Sequence, residues 1–117
     1  LTALVEQGTT ATYTVTFKDE SGNPIALSAV TALKLSHYDQ PTRTVINSRN
    51  QQNVLNANNG TYHATSGLFT WVMQPLDRVL VSAAGIAEPQ VIQVTLEWAG
   101  KSVTHRANIV MHRTYFV

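Results

Sequence analysis

The chain has 117 residues, the size of one domain, and we treat residues 1–117 as a single unit. It has no cysteine, which excludes disulfides, thiolate metal sites and a thiol nucleophile. Charged residues are 13% of the sequence and the net charge is +1, so neither nucleic acid nor an anionic membrane surface is an expected partner. No apolar stretch approaches the roughly 20 residues of a membrane span. The first residues show neither the basic nor the apolar region of a signal peptide.

The first predicted strand lies at residues 11–17, where apolar side chains alternate with threonines. Its apolar face consists of Ala11, Tyr13, Val15 and Phe17. This period of two is typical of a half-buried strand. Residues 18–24 then form a corner, because Gly22 can adopt positive φ and Pro24 cannot donate to a strand ladder. Beyond it we expect residues 25–38 to continue as a strand, and the apolar side chains of one parity there are Leu27, Leu33 and Leu35.

The middle of the chain changes character at residue 47. A short strand is predicted near residues 44–46. Eight of the fourteen residues at 47–60 are Asn or Gln, which predicts a polar hairpin or a long loop. Val54 and Leu55 are its only apolar anchor, and Asn59-Gly60 is a strong signal for a two-residue hairpin turn.

Two apolar runs follow this polar segment. Residues 67–73, GLFTWVM, are apolar enough to predict a central strand. Residues 74–85, QPLDRVLVSAAG, are compatible with one helical turn or with a short strand.

The last two strands form the clearest hairpin in the sequence. On one face of the first lie Ile92, Val94, Leu96 and Trp98, and on one face of the second lie Val103, His105, Ala107, Ile109 and Met111. A two-residue loop at Ala99-Gly100 would pair Trp98 with Lys101 and would put both apolar faces on the same side of the sheet. A wider loop from Trp98 to Lys101 stays open, because Ala99 is a poor residue for the positive φ of a type I′ turn.

Seven or eight short strands with turn signals and no long helix predict an all-β fold. An antiparallel immunoglobulin-like β-sandwich is the preferred architecture, and a small barrel is the alternative. Trp71 and Trp98 are candidates for the bulky core residue, and we expect Trp98, at a hairpin end, to be half exposed.

Catalytic and metal-binding patterns are not evident in the sequence. His37, His63, His105 and His112 lie in separate segments without metal-site spacing, and His105 is expected to be partly buried. No nucleophile elbow or phosphate loop occurs. We therefore expect no enzymatic activity, no cofactor and no metal. An enzyme would need one of the first three histidines to converge with Asp39 or Asp77 in a cleft.

Protein contacts are the more plausible use of this sequence. The long polar segment at 47–60 and the apolar chain ends are the expected contact regions. The side chains expected at partner contacts are Leu4, Val5, Arg49, Asn50, Gln51, Asn53, Asn56, Asn58, Arg113, Tyr115, Phe116 and Val117. A carbohydrate-binding or adhesin-type surface is the alternative, and it would need Tyr38, Tyr62 and Trp98 to be exposed on one face.

Three segments together resemble a known family. They are YTVTFKDESGNPIALSAVTALKL, SGLFTWVMQPLD and EPQVIQVTLEWAGKSVTHRANIVM. In this order they are similar to the immunoglobulin-like β-sandwich domains of tailed-bacteriophage virion proteins, such as the N-terminal domain of upper baseplate proteins and tail or head-decoration modules. The resemblance implies a non-enzymatic structural role in the virion, with capsid or tail subunits as partners and symmetric multiple copies.

Overall fold

The computed structural model describes residues 2–6, 11–81 and 87–112, with only the strand path at 2–6 and 112. These residues form eight strands and no α-helix. The strands are β1 (Thr2–Glu6), β2 (Ala11–Thr16), β3 (Val30–Asp39), β4 (Gln52–Asn53), β5 (Gly60–Tyr62), β6 (Leu68–Met73), β7 (Ala87–Trp98) and β8 (Lys101–His112). Two short 3₁₀ turns occur at Leu27–Ala29 and Pro75–Asp77. No helix in this part of the chain is long and apolar enough to cross a membrane.

The strands form two sheets, which confirms the predicted sandwich. One sheet has the order β1-β8-β7-β3-β4 and the other the order β2-β6-β5. All pairs are antiparallel except β1 with β8. The order β2-β6-β5 matches strands B-E-D of an immunoglobulin sandwich, and β3-β7-β8 matches C-F-G. The fold is therefore immunoglobulin-like, with β4 as a short additional strand beside β3.

The core lies between the sheets and is built from the inward-facing parity of each strand. Trp71 and Phe69 on β6 are fully buried and are the largest side chains in it. Further core residues are Phe17, Leu33, Leu35, Tyr62, Met73, Ile92, Val94, Leu96, Ile109 and Met111. All three strands predicted by alternation, one at 11–17 and two in the last hairpin, contribute to this core, and β6 is central in its sheet as expected.

The register of the last hairpin is the predicted one. Trp98 pairs with Lys101, and the pairing continues to Ala87 opposite His112. Ala99 and Gly100 have φ of 48° and 75°, so the two-residue loop forms and the wider one does not. Trp98 is half-buried, as expected. His105 is exposed, which corrects the expectation of partial burial.

The strand predicted at 25–38 begins later, at Val30. The chain leaves the predicted corner, where Gly22 has φ of 83°, and passes through the 3₁₀ turn Leu27–Ala29 before β3 starts. This turn carries the chain from the three-stranded sheet to the five-stranded one, so half-buried Leu27 packs against the core from a crossover and not from a strand.

The structure also decides the predictions for residues 44–46 and 74–85. The strand predicted near residues 44–46 is reduced to one isolated bridge, in which Val45 pairs with Tyr38. Between 74 and 85 the helical alternative forms at Pro75–Asp77, and residues 82–86 of this segment lie outside the described ones.

Candidate functional site

The polar segment at 47–60 is a connection between the two sheets. Within it, β4 pairs with β3 of the five-stranded sheet, whereas β5, which starts at Gly60, pairs with β6 of the other sheet. The predicted hairpin is therefore wrong, and the long-loop alternative is right. Val54 is fully buried and anchors the loop as expected, with Leu55 half-buried beside it.

The Asn-rich composition of this loop is explained by its backbone. Six of its non-glycine residues have positive φ, namely Asn47, Ser48, Gln51, Asn56, Asn58 and Asn59. Asn tolerates this left-handed region better than most residues do. The tight turn is at Asn58-Asn59, because the Gly60 N–H donates to the Ala57 carbonyl at 2.9 Å. The turn predicted at Asn59-Gly60 is thus displaced by one residue.

Gly60 is required for a close approach and not for its φ. A Cβ at this position would lie 2.3 Å from the carbonyl oxygen of Val54 and 3.0 Å from the ring of Phe69. The loop thus crosses directly over the first residue of β5, and this contact fixes Val54 in the core.

A buried ion pair holds the same loop against the sandwich. The Arg49 Nε donates to Asp77 Oδ1 at 2.9 Å and its Nη2 to Oδ2 at 3.0 Å. Asp77 is fully buried and Arg49 is 4% exposed. The guanidinium also lies 5.2 Å from the centre of the Trp71 ring. A two-pronged pair over an aromatic face suits a buried arginine.

Asp77 accepts two more hydrogen bonds, which decide its charge state. Asn47 Nδ2 donates to Oδ1 at 2.9 Å and the Gln74 N–H to Oδ2 at 2.8 Å. Burial raises the pKa of Asp77, but the hydrogen bonds from Arg49, Asn47 and Gln74 outweigh it and hold the pKa below its usual value. The carboxylate is charged and fully engaged, so it is not a free base.

His37, His63 and His105 do not meet Asp39 or Asp77 in a cleft. His37 is buried, its Nε2 lies 2.9 Å from Gln90 Oε1, and its ring meets Trp71 edge-on at 6.0 Å. Burial lowers the pKa of His37, so the ring is neutral at pH 7. His63 is exposed and accepts the Ser66 N–H in a turn, and His105 contacts the Tyr13 hydroxyl. Among the described residues, no group of three or more His, Asp or Glu could hold a metal.

A cleft lies on the outer face of the five-stranded sheet. Its volume is about 290 Å³. The lining residues are Ser36, Tyr38, Arg43, Val45, Asn50, Gln51 and Gln93. We call this feature the outer cleft. Only one of the seven lining side chains is charged, and the others combine amides, a hydroxyl, a phenol and the 41% exposed Val45.

Local hydrogen bonds fix both sides of the outer cleft. On one side, the buried Asp39 accepts from the Thr42 hydroxyl at 2.6 Å, and the Arg43 N–H donates back to the Asp39 carbonyl at 2.8 Å. This turn places the Arg43 guanidinium 5.5 Å from the centre of the Tyr38 ring. On the other side, the Gln51 N–H donates to the Ser36 hydroxyl at 2.9 Å. The cleft is therefore preformed.

Several predicted contact residues lie at or near the outer cleft. Asn50 and Gln51 line it, and the exposed Asn53 pairs with Lys34 on the same sheet. The sequence reasoning did not identify Arg43, Val45 or Gln93 as cleft residues. The outward parity of Ser36 and Tyr38 on β3 was the available signal.

The remaining predicted contact residues divide into four groups. Arg49 is buried, so we leave it out of the surface that we propose. Asn56 and Asn58 are exposed but serve the loop, since Asn56 Oδ1 accepts the Tyr62 N–H at 2.8 Å and Asn58 Nδ2 donates to the Asn53 carbonyl at 2.7 Å. Leu4 and Val5 lie on β1, where only the strand path is described. The fourth group, Arg113, Tyr115, Phe116 and Val117, lies outside the described residues.

The carbohydrate alternative needs Tyr38, Tyr62 and Trp98 to be exposed on one face, and the structure does not place them so. Tyr62 is 3% exposed, and its hydroxyl donates to the Ile25 carbonyl at 2.6 Å inside the sandwich. Trp98 is half-buried at the end of β7, which leaves Tyr38 alone in the outer cleft.

No protein-family model matches this chain, and neither a curated protein nor a solved structure is detectably similar to it. The geometry of the sheets and of the outer cleft is therefore the basis for a functional proposal.

Proposed function

We propose that this protein is a non-enzymatic structural module of a tailed-phage virion, a head-decoration or tail, neck or baseplate component. It docks on a neighbouring capsid or tail subunit through the outer cleft. The observation that supports this proposal is the preformed, nearly uncharged cleft on the outer face of the five-stranded sheet. The virion location itself rests on the resemblance of the three sequence segments.

The chemistry of the outer cleft suits an extended polypeptide. The side-chain amides of Asn50, Gln51 and Gln93 each present a donor and an acceptor, as a peptide group does. The Tyr38 ring and Val45 add apolar contact area between them. Since aromatic and arginine side chains dominate binding energy at protein interfaces, Tyr38 and Arg43 are the expected centre of the contact.

Arg43 indicates the charge of the partner segment. Its guanidinium has no ion pair among the described residues and lies exposed above the Tyr38 ring. A partner with an acidic side chain next to its apolar contact would supply the missing carboxylate. Such a pair directs association and selects the partner.

Binding to phage particles tests this proposal. Particles assembled without this protein are mixed with the purified chain, and bound protein is measured by co-sedimentation and located by particle imaging. We expect saturable binding at symmetric positions. Arg43→Glu should weaken it by roughly tenfold or more. Lys18→Glu, which makes the same charge change at an exposed residue of the corner after β2, should leave binding unchanged.

The virion role and the docking surface are tested separately by this experiment. If the unaltered chain neither co-sediments with particles nor occupies a defined position on them, the virion role is wrong. If it binds and Arg43→Glu binds equally well, the outer cleft is not the docking surface. Retention of the chain on a glycan array would instead favour the carbohydrate alternative.

A further inference from the structure

The two sheets have four edges, and three of them are poor sites for adding a strand. β4 has two residues and β5 has three, while β1 has five and ends in the charged Glu6. β2 is the longest edge strand, with six residues from Ala11 to Thr16. It carries no charge, no proline and no bulge, which are the features that usually protect an edge from pairing.

The free backbone groups of β2 can be assigned from its pairing with β6. The Phe17 N–H donates to the Gly67 carbonyl at 2.9 Å, so Phe17 faces β6. Alternate residues of an antiparallel strand face opposite sides. Tyr13 and Val15 therefore also bond to β6, opposite Trp71 and Phe69. The backbone groups of the intervening residues, Thr12, Thr14 and Thr16, point away from every strand that the structure describes.

The position beside β2 corresponds to a known strand of the fold. In an immunoglobulin sandwich, strand A continues the sheet next to B, in the order A-B-E-D. Here β2-β6-β5 supplies B-E-D, and the described N-terminal strand, β1, pairs with β8 in the other sheet. The fold thus has a place for one more strand next to β2.

We propose that a second copy of this chain occupies this place, with β2 of each copy pairing antiparallel to β2 of the other about a twofold axis at Thr14. This register pairs Thr14 with Thr14, and Thr12 with Thr16 of the partner copy. All three outward-facing residues are then used, which gives about six backbone hydrogen bonds because each such pair exchanges two. The two three-stranded sheets become one continuous six-stranded sheet.

The chemistry of β2 supports a second copy as the occupant. An isologous contact places each surface against itself, so a charged strand would oppose like charges. The uncharged β2 avoids this penalty. Thr12, Thr14 and Thr16 have exposed side chains on one face, and Thr opposite Thr is a favourable cross-strand pair. On the other face Tyr13 would lie opposite Val15, an aromatic and β-branched pair that is also favourable.

The expected association is weak in isolation. A contact between two single strands buries less than the roughly 1,200 Å² of a stable complex, so the dissociation constant should lie in the micromolar to millimolar range. Multiple copies held close together on a larger assembly would populate the contact. The inference concerns the isolated chain and does not depend on the virion role.

Sedimentation velocity of the purified chain over a range of concentrations tests the inference. We expect a reversible monomer–dimer equilibrium at concentrations up to about 1 mM. Thr14→Pro removes an outward N–H that faces none of the strands that the structure describes in the monomer, and it should abolish the dimer.

A matched pair of double variants tests the register. Thr12→Lys with Thr16→Glu places opposite charges face to face twice in the dimer, whereas Thr12→Lys with Thr16→Lys places like charges there. We expect the first to dimerise roughly tenfold more tightly than the second. Both pairs of changes are on exposed side chains, and thermal unfolding checks that the monomers remain folded.

Each outcome decides the question. A monomer at every concentration, a dimer that persists in Thr14→Pro, or equal dimerisation of the two double variants would overturn the inference. If Thr14→Pro does not fold, the comparison of the two charge variants decides it. None of these results affects the test of docking on particles, which uses a different surface.

Discussion

Replacing Asp77 by Asn tests whether the buried ion pair holds the 47–59 loop to the sandwich. The carboxylate accepts four hydrogen bonds, two of them from Arg49. The amide is the same size but has one oxygen, so its NH₂ group would face donors where Oδ1 or Oδ2 now accepts. Arg49, which is 4% exposed, would keep its charge without a counter-charge.

The expected loss of stability is about 3–5 kcal/mol, the usual cost of removing one member of a buried pair. A domain of this size has a free energy of unfolding of roughly 5–15 kcal/mol, so the loss is a large fraction of the total. Urea unfolding should show a midpoint lower by roughly 1–3 M with an unchanged slope. Glu20→Gln, which breaks the exposed pair with Lys101, should produce no resolvable change.

A double variant separates the loss of hydrogen bonds to Asp77 from the cost of leaving the Arg49 charge buried without a counter-charge. Arg49→Met combined with Asp77→Asn removes the buried, unpaired guanidinium. The double variant should therefore lose less free energy of unfolding than the sum of the losses of Arg49→Met and Asp77→Asn. If Asp77→Asn alone costs less than about 1 kcal/mol, the burial argument is refuted.

Three further predictions follow from individual side chains. His37 has a folded-state pKa below its unfolded value, so its contribution to stability is present above about pH 6.5 and is lost as the pH falls towards the folded pKa. Urea unfolding of His37→Gln at several pH values should therefore show a flatter acid dependence than that of the unaltered protein, and an equally steep one would contradict the pKa shift. Gly60→Ala should cost about 1–3 kcal/mol or more in the same assay, because its Cβ meets the Val54 carbonyl at 2.3 Å; no loss would contradict this geometry. Ala99→Asn should raise the free energy of unfolding by roughly 0.5–1 kcal/mol, since Ala99 has φ of 48° in the hairpin turn and Asn tolerates this region; an unchanged or lower midpoint would refute the strain argument.

The sequence by itself determined the all-β class and the pairing of the last hairpin. A side-chain period of two assigns each residue to a face, and only one register of β7 and β8 puts both apolar sets in the core. The same period located β2, the turn residues Gly22 and Pro24 located the corner, and the apolar run at 67–73 indicated the core position of Trp71.

Only the tertiary structure decided how the 47–60 segment is used. Its Asn-rich composition indicated a turn or a contact surface, but it could not show that the chain passes there from one sheet to the other. Arg49 and Asp77 are 28 residues apart, and neither position carries a local signal of burial. Their pairing depends on how the two sheets stack, which is a property of the whole chain.

The outer cleft and the open edge of β2 were likewise determined partly by the sequence pattern and partly by the tertiary structure. Alternation at β3 and β2 already placed Tyr38 and Thr14 on outward faces. That Arg43 and Gln51 converge beside Tyr38, and that Thr14 lies on an edge strand, follows from strand order. Strand order is set by long-range packing, because side-chain period fixes which face a residue occupies and not which strand lies beside it.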